Sequence, residues 1–140
     1  MMATVMPTRE ELRELALLRV LEAETLFQAE LYDGCVYLCG YVVEFALKAC
    51  ICATLSITTY PDNRAFLTHD FDELRLLAGL QEQINIWSGE LLGNWSVATD
   101  WKPEWRYQRK GTYGRGQAEE RLHAIKASPD GVLTYLMGRW

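Results

Sequence analysis

The sequence predicts an all-α, up-and-down bundle of about five helices arranged around one long apolar helix. Three observations carry this. Apolar residues recur at helical spacing through most of the chain. The stretch from Gly34 to Ser56 is apolar nearly all round, as a helix with neighbours on several sides must be. No alternating run is long enough for a half-buried strand; residues 56–60 come nearest and are too short.

The first helix begins at a capping-box pattern, Thr8 followed three residues later by Glu11, with Pro7 just before. Leu12, Leu15, Ala16, Leu18, Val20, Leu21, Ala23 and Leu26 then set an amphipathic helix over Arg9 to Leu31. Asp33 and Gly34 punctuate the chain, and Asp33 is placed to cap the next helix. That second helix, Gly34 to Ser56, has few polar interruptions, and they align: Gly40, Glu44 and Lys48 recur every four residues as one narrow stripe. Pro61-Asp62-Asn63 marks a loop. Thr68-His69-Asp70-Phe71 opens a short third helix, capped by Thr68 or Asp70, with Leu74, Leu76, Leu77 and Leu80 as its buried side and Gly79 at its stop. A fourth helix is expected over Gln81 to Ala98, weakened or split by Gly89 and Gly93. Lys102 to Gln117 holds one Pro and three Gly and reads as an exposed loop. The last helix runs from Gln117 to Lys126, with room to resume after Ser128-Pro129-Asp130-Gly131 as far as Met137.

The 140 residues form one domain, being too few for two ordinary ones. At 49% hydrophobic and 24% charged the composition is that of a globular protein, which excludes a disordered chain. The net charge of −5 argues against a protein that coats nucleic acid by charge alone. The charge is uneven, however. Residues 1–101 carry 6 Lys/Arg and 15 Asp/Glu, net −9, whereas residues 102–140 carry 8 and 4, net +4. A basic segment on an acidic body suits phosphate, RNA, the acidic part of a second copy, or simply solvent.

Cys35, Cys39, Cys50 and Cys52 all fall in the second helix. At 1.5 Å per residue, Cys39 and Cys50 stand roughly 16 Å apart, so they share neither a metal ion nor a disulfide. Buried, reduced thiols acting as small hydrophobes fit a cytoplasmic protein, and no metal or other cofactor is expected. The apolar run is long enough to raise a membrane span, but Glu44 and Lys48 near its middle would each cost about 2.5–3.5 kcal/mol on insertion. No span is expected, and no leader is expected from the acidic start of the first helix.

Three blocks resemble one family. Tyr37-Leu38-Cys39-Gly40-Tyr41-Val42-Val43-Glu44-Phe45-Ala46-Leu47-Lys48-Ala49 is similar to the second-helix signature of HEPN-domain proteins. Thr68-His69-Asp70-Phe71-Asp72-Glu73-Leu74 resembles the family's next helix start, and Trp101-Lys102-Pro103-Glu104-Trp105-Arg106-Tyr107 a later Trp-Pro-Arg-Tyr segment. The resemblance implies a helical bundle that pairs into a homodimer and works in toxin–antitoxin or defence systems, frequently beside a nucleotidyltransferase-type partner. Many such proteins are metal-independent endoribonucleases with a late-helix Arg-x4–6-His motif, its histidine moving protons and its arginine holding the scissile phosphate. Others bind nucleotides or act as non-catalytic scaffolds.

Arg64-Ala65-Phe66-Leu67-Thr68-His69 has the Arg-x4-His spacing but lies in mid-chain, so His69 capping or packing at a helix start with Arg64 solvated is the competing reading. His123 with Arg115 and Arg121 misses the spacing, which leaves cleavage open. Glu44 and Lys48 lie among residues too apolar for an ordinary surface pair, and a buried carboxylate needs partners. The expectation is that Arg106 reaches Glu44 with Tyr107 beside it, forming either a structural tether or a polar cleft for phosphate or base. Trp95, Trp101, Trp105, Tyr107 and Tyr113 interleave with Lys102, Arg106, Arg109, Lys110 and Arg115. That pattern suits single-stranded RNA as well as a packed core.

Overall fold

The computed structural model describes residues 5–140. Among them six α-helices and two 3-10 turns form an all-α bundle: α1 Arg9–Gln28, α2 Tyr32–Leu55, α3 Phe71–Leu77, α4 Gly89–Thr99, α5 Arg115–Lys126 and α6 Val132–Met137. The 3-10 turns span Gln81–Ile86 and Pro103–Tyr107.

The capping box forms as its spacing predicts: Thr8 Oγ1 accepts from the Glu11 amide and Glu11 accepts from the Thr8 amide, each at 3.1 Å. The start of α1 is also pinned from outside, because the Arg9 amide donates to the Thr58 carbonyl and the Tyr60 amide to the Pro7 carbonyl. A tight connection then turns the chain into α2, with Glu30 in the left-handed region at φ 62°. The short link makes α1 and α2 a packed hairpin.

Helix α2 packs against all five other helices, and most of its residues are buried. It is long and apolar enough to cross a membrane, yet 72% of its most apolar window lies inside the fold. Burial on every side removes any need for one polar face, and this is why the helix is apolar all round. All four cysteines are free and buried. The Cys50 thiol donates to the Leu136 carbonyl, and burial pushes its pKa up to about 12.

Several boundaries differ from the sequence reading. Asp33 does not cap α2, whose N-cap is Leu31 without a side-chain bond. Its carboxylate instead accepts from the amides of Gly111 (2.6 Å) and Tyr113 (2.8 Å), clamping a loop 78 residues or more away in sequence. The expected fourth helix is broken, not at its glycines but at Trp87-Ser88. Ser88 caps α4, while Gly89 and Gly93 lie inside it facing open space. Trp87 is held there because its indole donates to the Tyr135 hydroxyl, which draws the chain off the helical path. The expected loop after Lys102 contains a 3-10 turn, and α5 begins at Arg115, two residues early, because Gln117 reaches back to the Gly114 amide.

Candidate functional site

The site is built on the polar stripe of α2. Gly40, Glu44 and Lys48 do three different things. A Cβ on Gly40 would stand 2.1 Å from two atoms of the Trp101 ring, so the glycine is the seat on which that indole lies flat against the helix. Trp101 is buried, donates its N–H to the Tyr37 carbonyl at 3.0 Å, and packs with Tyr37, Tyr41 and Phe71. Four residues on, Glu44 is 2% exposed. Its Oε2 lies 3.3 Å from Lys48 Nζ and its Oε1 lies 2.6 Å from His69 Nδ1. The Lys48 ammonium also faces the Tyr60 ring at 5.2 Å.

The partner expected for Glu44 was Arg106, and the structure corrects this. Arg106 is exposed on the 103–107 turn, where it donates to the Pro103 carbonyl and lies over the Tyr107 ring at 4.7 Å. Tyr107 is itself 77% exposed. The 3-10 turn points Trp105 inward instead, against Tyr113 and under the Arg121 guanidinium. The first and third sequence blocks do meet, but through Trp101 on Gly40.

His69 supplies what Arg106 does not. It neither caps α3, which Asp70 does by accepting from the Glu73 amide, nor packs away, since its side chain is 56% exposed. Thr68 and Asp70 hold it in place: the Asp70 amide donates to Thr68 Oγ1, whose hydroxyl donates to Glu73. A carboxylate at Nδ1 keeps the proton of the neutral ring on that nitrogen, so Nε2 is left as the acceptor of a side chain that is more than half exposed. The imidazole opens onto a cleft of about 430 Å³ with Trp101, Lys102 and Glu104 among its walls. Asp70 and Asp72 also line it, but the first is engaged as a cap and the second lies 3.6 Å from Arg75. On the same side of α2, burial and a hydrogen bond with Tyr37 raise the Tyr41 hydroxyl to about 12, which keeps it neutral at ordinary pH.

On the other side of the 103–107 turn is a second recess of about 330 Å³. Tyr37, Trp105 and Tyr113 wall it, with Asp33, Arg106 and Gln108 supplying polar groups. Of the remaining candidates, Arg64 is exposed on the turn before His69 and makes no ion pair or side-chain hydrogen bond among the described residues. Lys102, Arg109 and Lys110 are exposed, while Arg115 lies over the Phe27 ring at 5.0 Å. Trp95 and Trp101 belong to the core, whereas Trp105 and Tyr113 are half-buried. His123 is exposed on α5 and makes no ion pair or side-chain hydrogen bond among the described residues. The signal that singles out His69 was present in the sequence: a buried acid in need of a partner, and only two histidines in the chain. No protein-family model, no curated protein and no solved structure matches the chain.

Proposed function

We propose that this chain is a HEPN-like domain of a toxin–antitoxin or defence-type system, working in the cytoplasm, that binds RNA or a nucleotide at the polar cleft beside His69. The observation that carries the proposal is the Glu44–His69 pair: a buried carboxylate 2.6 Å from Nδ1 of a ring whose side chain is more than half exposed. A carboxylate in that position fixes the tautomer and orientation of an imidazole, as acid–base chemistry on a ribose hydroxyl requires. Lys102 lines the cleft, and Arg106, Arg109 and Lys110 are exposed on the segment that follows it in the chain, which supports contact with phosphate. On this reading His69 acts as the proton-transfer group of a metal-independent endoribonuclease, and the cation facing the phosphate comes from a second copy in a homodimer.

The test is single-stranded RNA incubated with the protein in chelator, comparing wild type with His69→Asn. Asparagine retains a donor near the Nδ1 position and removes the outer nitrogen. Cleavage falling about 10²–10⁴-fold while folding and RNA retention persist is the expected result. Equal cleavage by both proteins removes the catalytic role, and absence of RNA and nucleotide binding at low salt removes the proposal.

A second reading is favoured by one specific observation. Leu17, Leu18 and Leu21 on α1 are 43%, 47% and 61% exposed and share one side of the helix. They suit a non-catalytic scaffold that dimerises or binds a nucleotidyltransferase-type partner. If Leu18→Glu changes the mass measured by light scattering and no RNA or nucleotide binds, this reading replaces the first.

A further inference from the structure

The recess beside the N-terminal turn of α2 is walled by aromatic rings that the fold does not finish burying. Trp105 and Tyr113 lie in direct contact, their centroids 5.5 Å apart, and both remain half-buried. Tyr37 closes a third side. No base fits between Trp105 and Tyr113, so a planar ligand must lie across their open side, facing Tyr37. A volume of about 330 Å³ is at the lower end for small-molecule sites, enough for one nucleoside and too small for a stacked pair.

The polar groups are more selective than the rings. Asp33 makes no salt bridge among the described residues, and its two oxygens accept one backbone amide each, from Gly111 and Tyr113. An ionised carboxylate has about four acceptor sites, so about two are left over on a half-buried anion. The Gln108 side-chain amide has no hydrogen-bond partner among the described residues and carries both a donor and an acceptor. Arg106 is exposed at the edge of the recess, with Arg109 and Lys110 following it along the chain. The arrangement is therefore apolar faces, an acceptor-only anion inside, an amide of mixed character, and cations outside.

We infer that this recess binds a single nucleobase that carries an exocyclic amine (guanine, adenine or cytosine), and excludes uracil. The base lies against Trp105 and Tyr113, its amine donates to the Asp33 carboxylate, and Gln108 pairs with a ring acceptor. The attached phosphate is held by Arg106. Carboxylates accept from exocyclic amines, whereas the two carbonyls that flank the ring N–H of uracil are repelled by an anion. The inference rests on the reading of the chain as an RNA- or nucleotide-binding domain, and it names the base class that such a domain takes.

The test titrates the full chain with guanosine, adenosine, cytidine and uridine 5′-monophosphates, read by tryptophan fluorescence and calorimetry. The three amine-bearing nucleotides should bind at least tenfold more tightly than uridine monophosphate. Trp105→Leu and Tyr113→Leu should each weaken them by about five- to hundredfold. Asp33→Asn, which retains one amide acceptor for the loop, should erase the preference over uridine while the circular dichroism spectrum stays unchanged. Equal binding of uridine monophosphate, or affinities indifferent to both aromatic substitutions, overturns the inference. If binding survives Trp105→Leu and Tyr113→Leu but is lost in Lys102→Gln, whose side chain lines the His69 cleft, the ligand sits in that neighbouring cleft: the base site is then wrong and the proposed function stands. If neither these nucleotides nor a single-stranded RNA binds, both fail together.

Discussion

Replacing Gly40 with alanine tests how α2 meets the 101–107 segment. In an ordinary helix interior Gly→Ala is stabilising by about 0.8–1 kcal/mol, because alanine has less backbone freedom to lose. Here the new methyl would lie 2.1 Å from Cδ2 and Cε2 of Trp101 and 2.4 Å from Cγ. These are atoms of a rigid, fused ring that is 6% exposed and held by Tyr37, Tyr41, Phe71 and its own N–H bond. The ring cannot bend away, and α2, buried on every side, cannot retreat. Trp101 must therefore leave its seat. Losing a buried tryptophan costs about 3–5 kcal/mol, from which the propensity gain of about 1 kcal/mol is subtracted. The net loss is about 2–4 kcal/mol.

Urea unfolding followed by circular dichroism measures this directly, and the decisive comparison is made in two backgrounds. With Trp101 present, Gly40→Ala should destabilise by that amount. In a Trp101→Ala background the collision is absent, and the same substitution should become neutral or stabilising by up to about 1 kcal/mol. The sign should reverse. If Gly40→Ala stabilises the native chain, or if the two losses simply add, the seat described for Trp101 is wrong.

Two further predictions concern the buried polar groups. A double-mutant cycle on Glu44→Gln and His69→Ala should show coupling of about 1 kcal/mol, below the range for a fully buried charged hydrogen bond because the imidazole is half in water. The parallel cycle with Arg106→Gln should be additive within about 0.3–0.5 kcal/mol; coupling there would restore the arginine as the partner. The thiol of Cys50, raised from 9.0 to about 12 by burial, favours the fold only while protonated. That contribution is complete below pH 9 and is lost as the pH climbs towards 12, an effect of at most about 4 kcal/mol. Tyr41, raised to about 12 by burial and its Tyr37 bond, acts in the same direction. Urea midpoints should therefore fall from pH 9 to 11 more steeply in the native chain than in Cys50→Ala, and parallel curves would dismiss the argument.

What could be read from the sequence was whatever depended on neighbours along the chain. The capping box at Thr8, the apolar α2, the cap at Asp70 and the stop at Gly79 are all local, and all stand in the structure. So does the stripe of Gly40, Glu44 and Lys48, which predicted that polar groups must come to meet the helix; that a bulky ring would seat on Gly40 was not predicted. Which groups come is set by two loops, and periodicity says nothing about loops. Arg106 was the natural candidate on charge alone. A one-residue difference in how the 103–107 turn presents its side chains puts Trp105 inward and Arg106 outward. Asp33 shows the same limit: its position suits an N-cap, yet its carboxylate serves amides 78 and 80 residues away.

The choice of histidine over arginine at Glu44 bears on function as well as on packing. Lys48, one turn along the same helix, already sets a positive charge beside the carboxylate, so no second fixed cation is required for neutrality. A loop anchored to Glu44 for stability alone would be served by any donor, and an amide or hydroxyl would lose less on desolvation than an ionisable ring. Histidine is the one donor whose bond at one nitrogen sets the state of another nitrogen on the far side of the ring. In this fold the ring is not packed away: its side chain stays more than half exposed, at a cleft that Lys102 and Trp101 share. A tether accounts for Nδ1 alone, whereas the proposed proton-transfer role accounts for both nitrogens. His69→Asn separates the two, because it keeps the inner bond and removes only the nitrogen that faces the cleft.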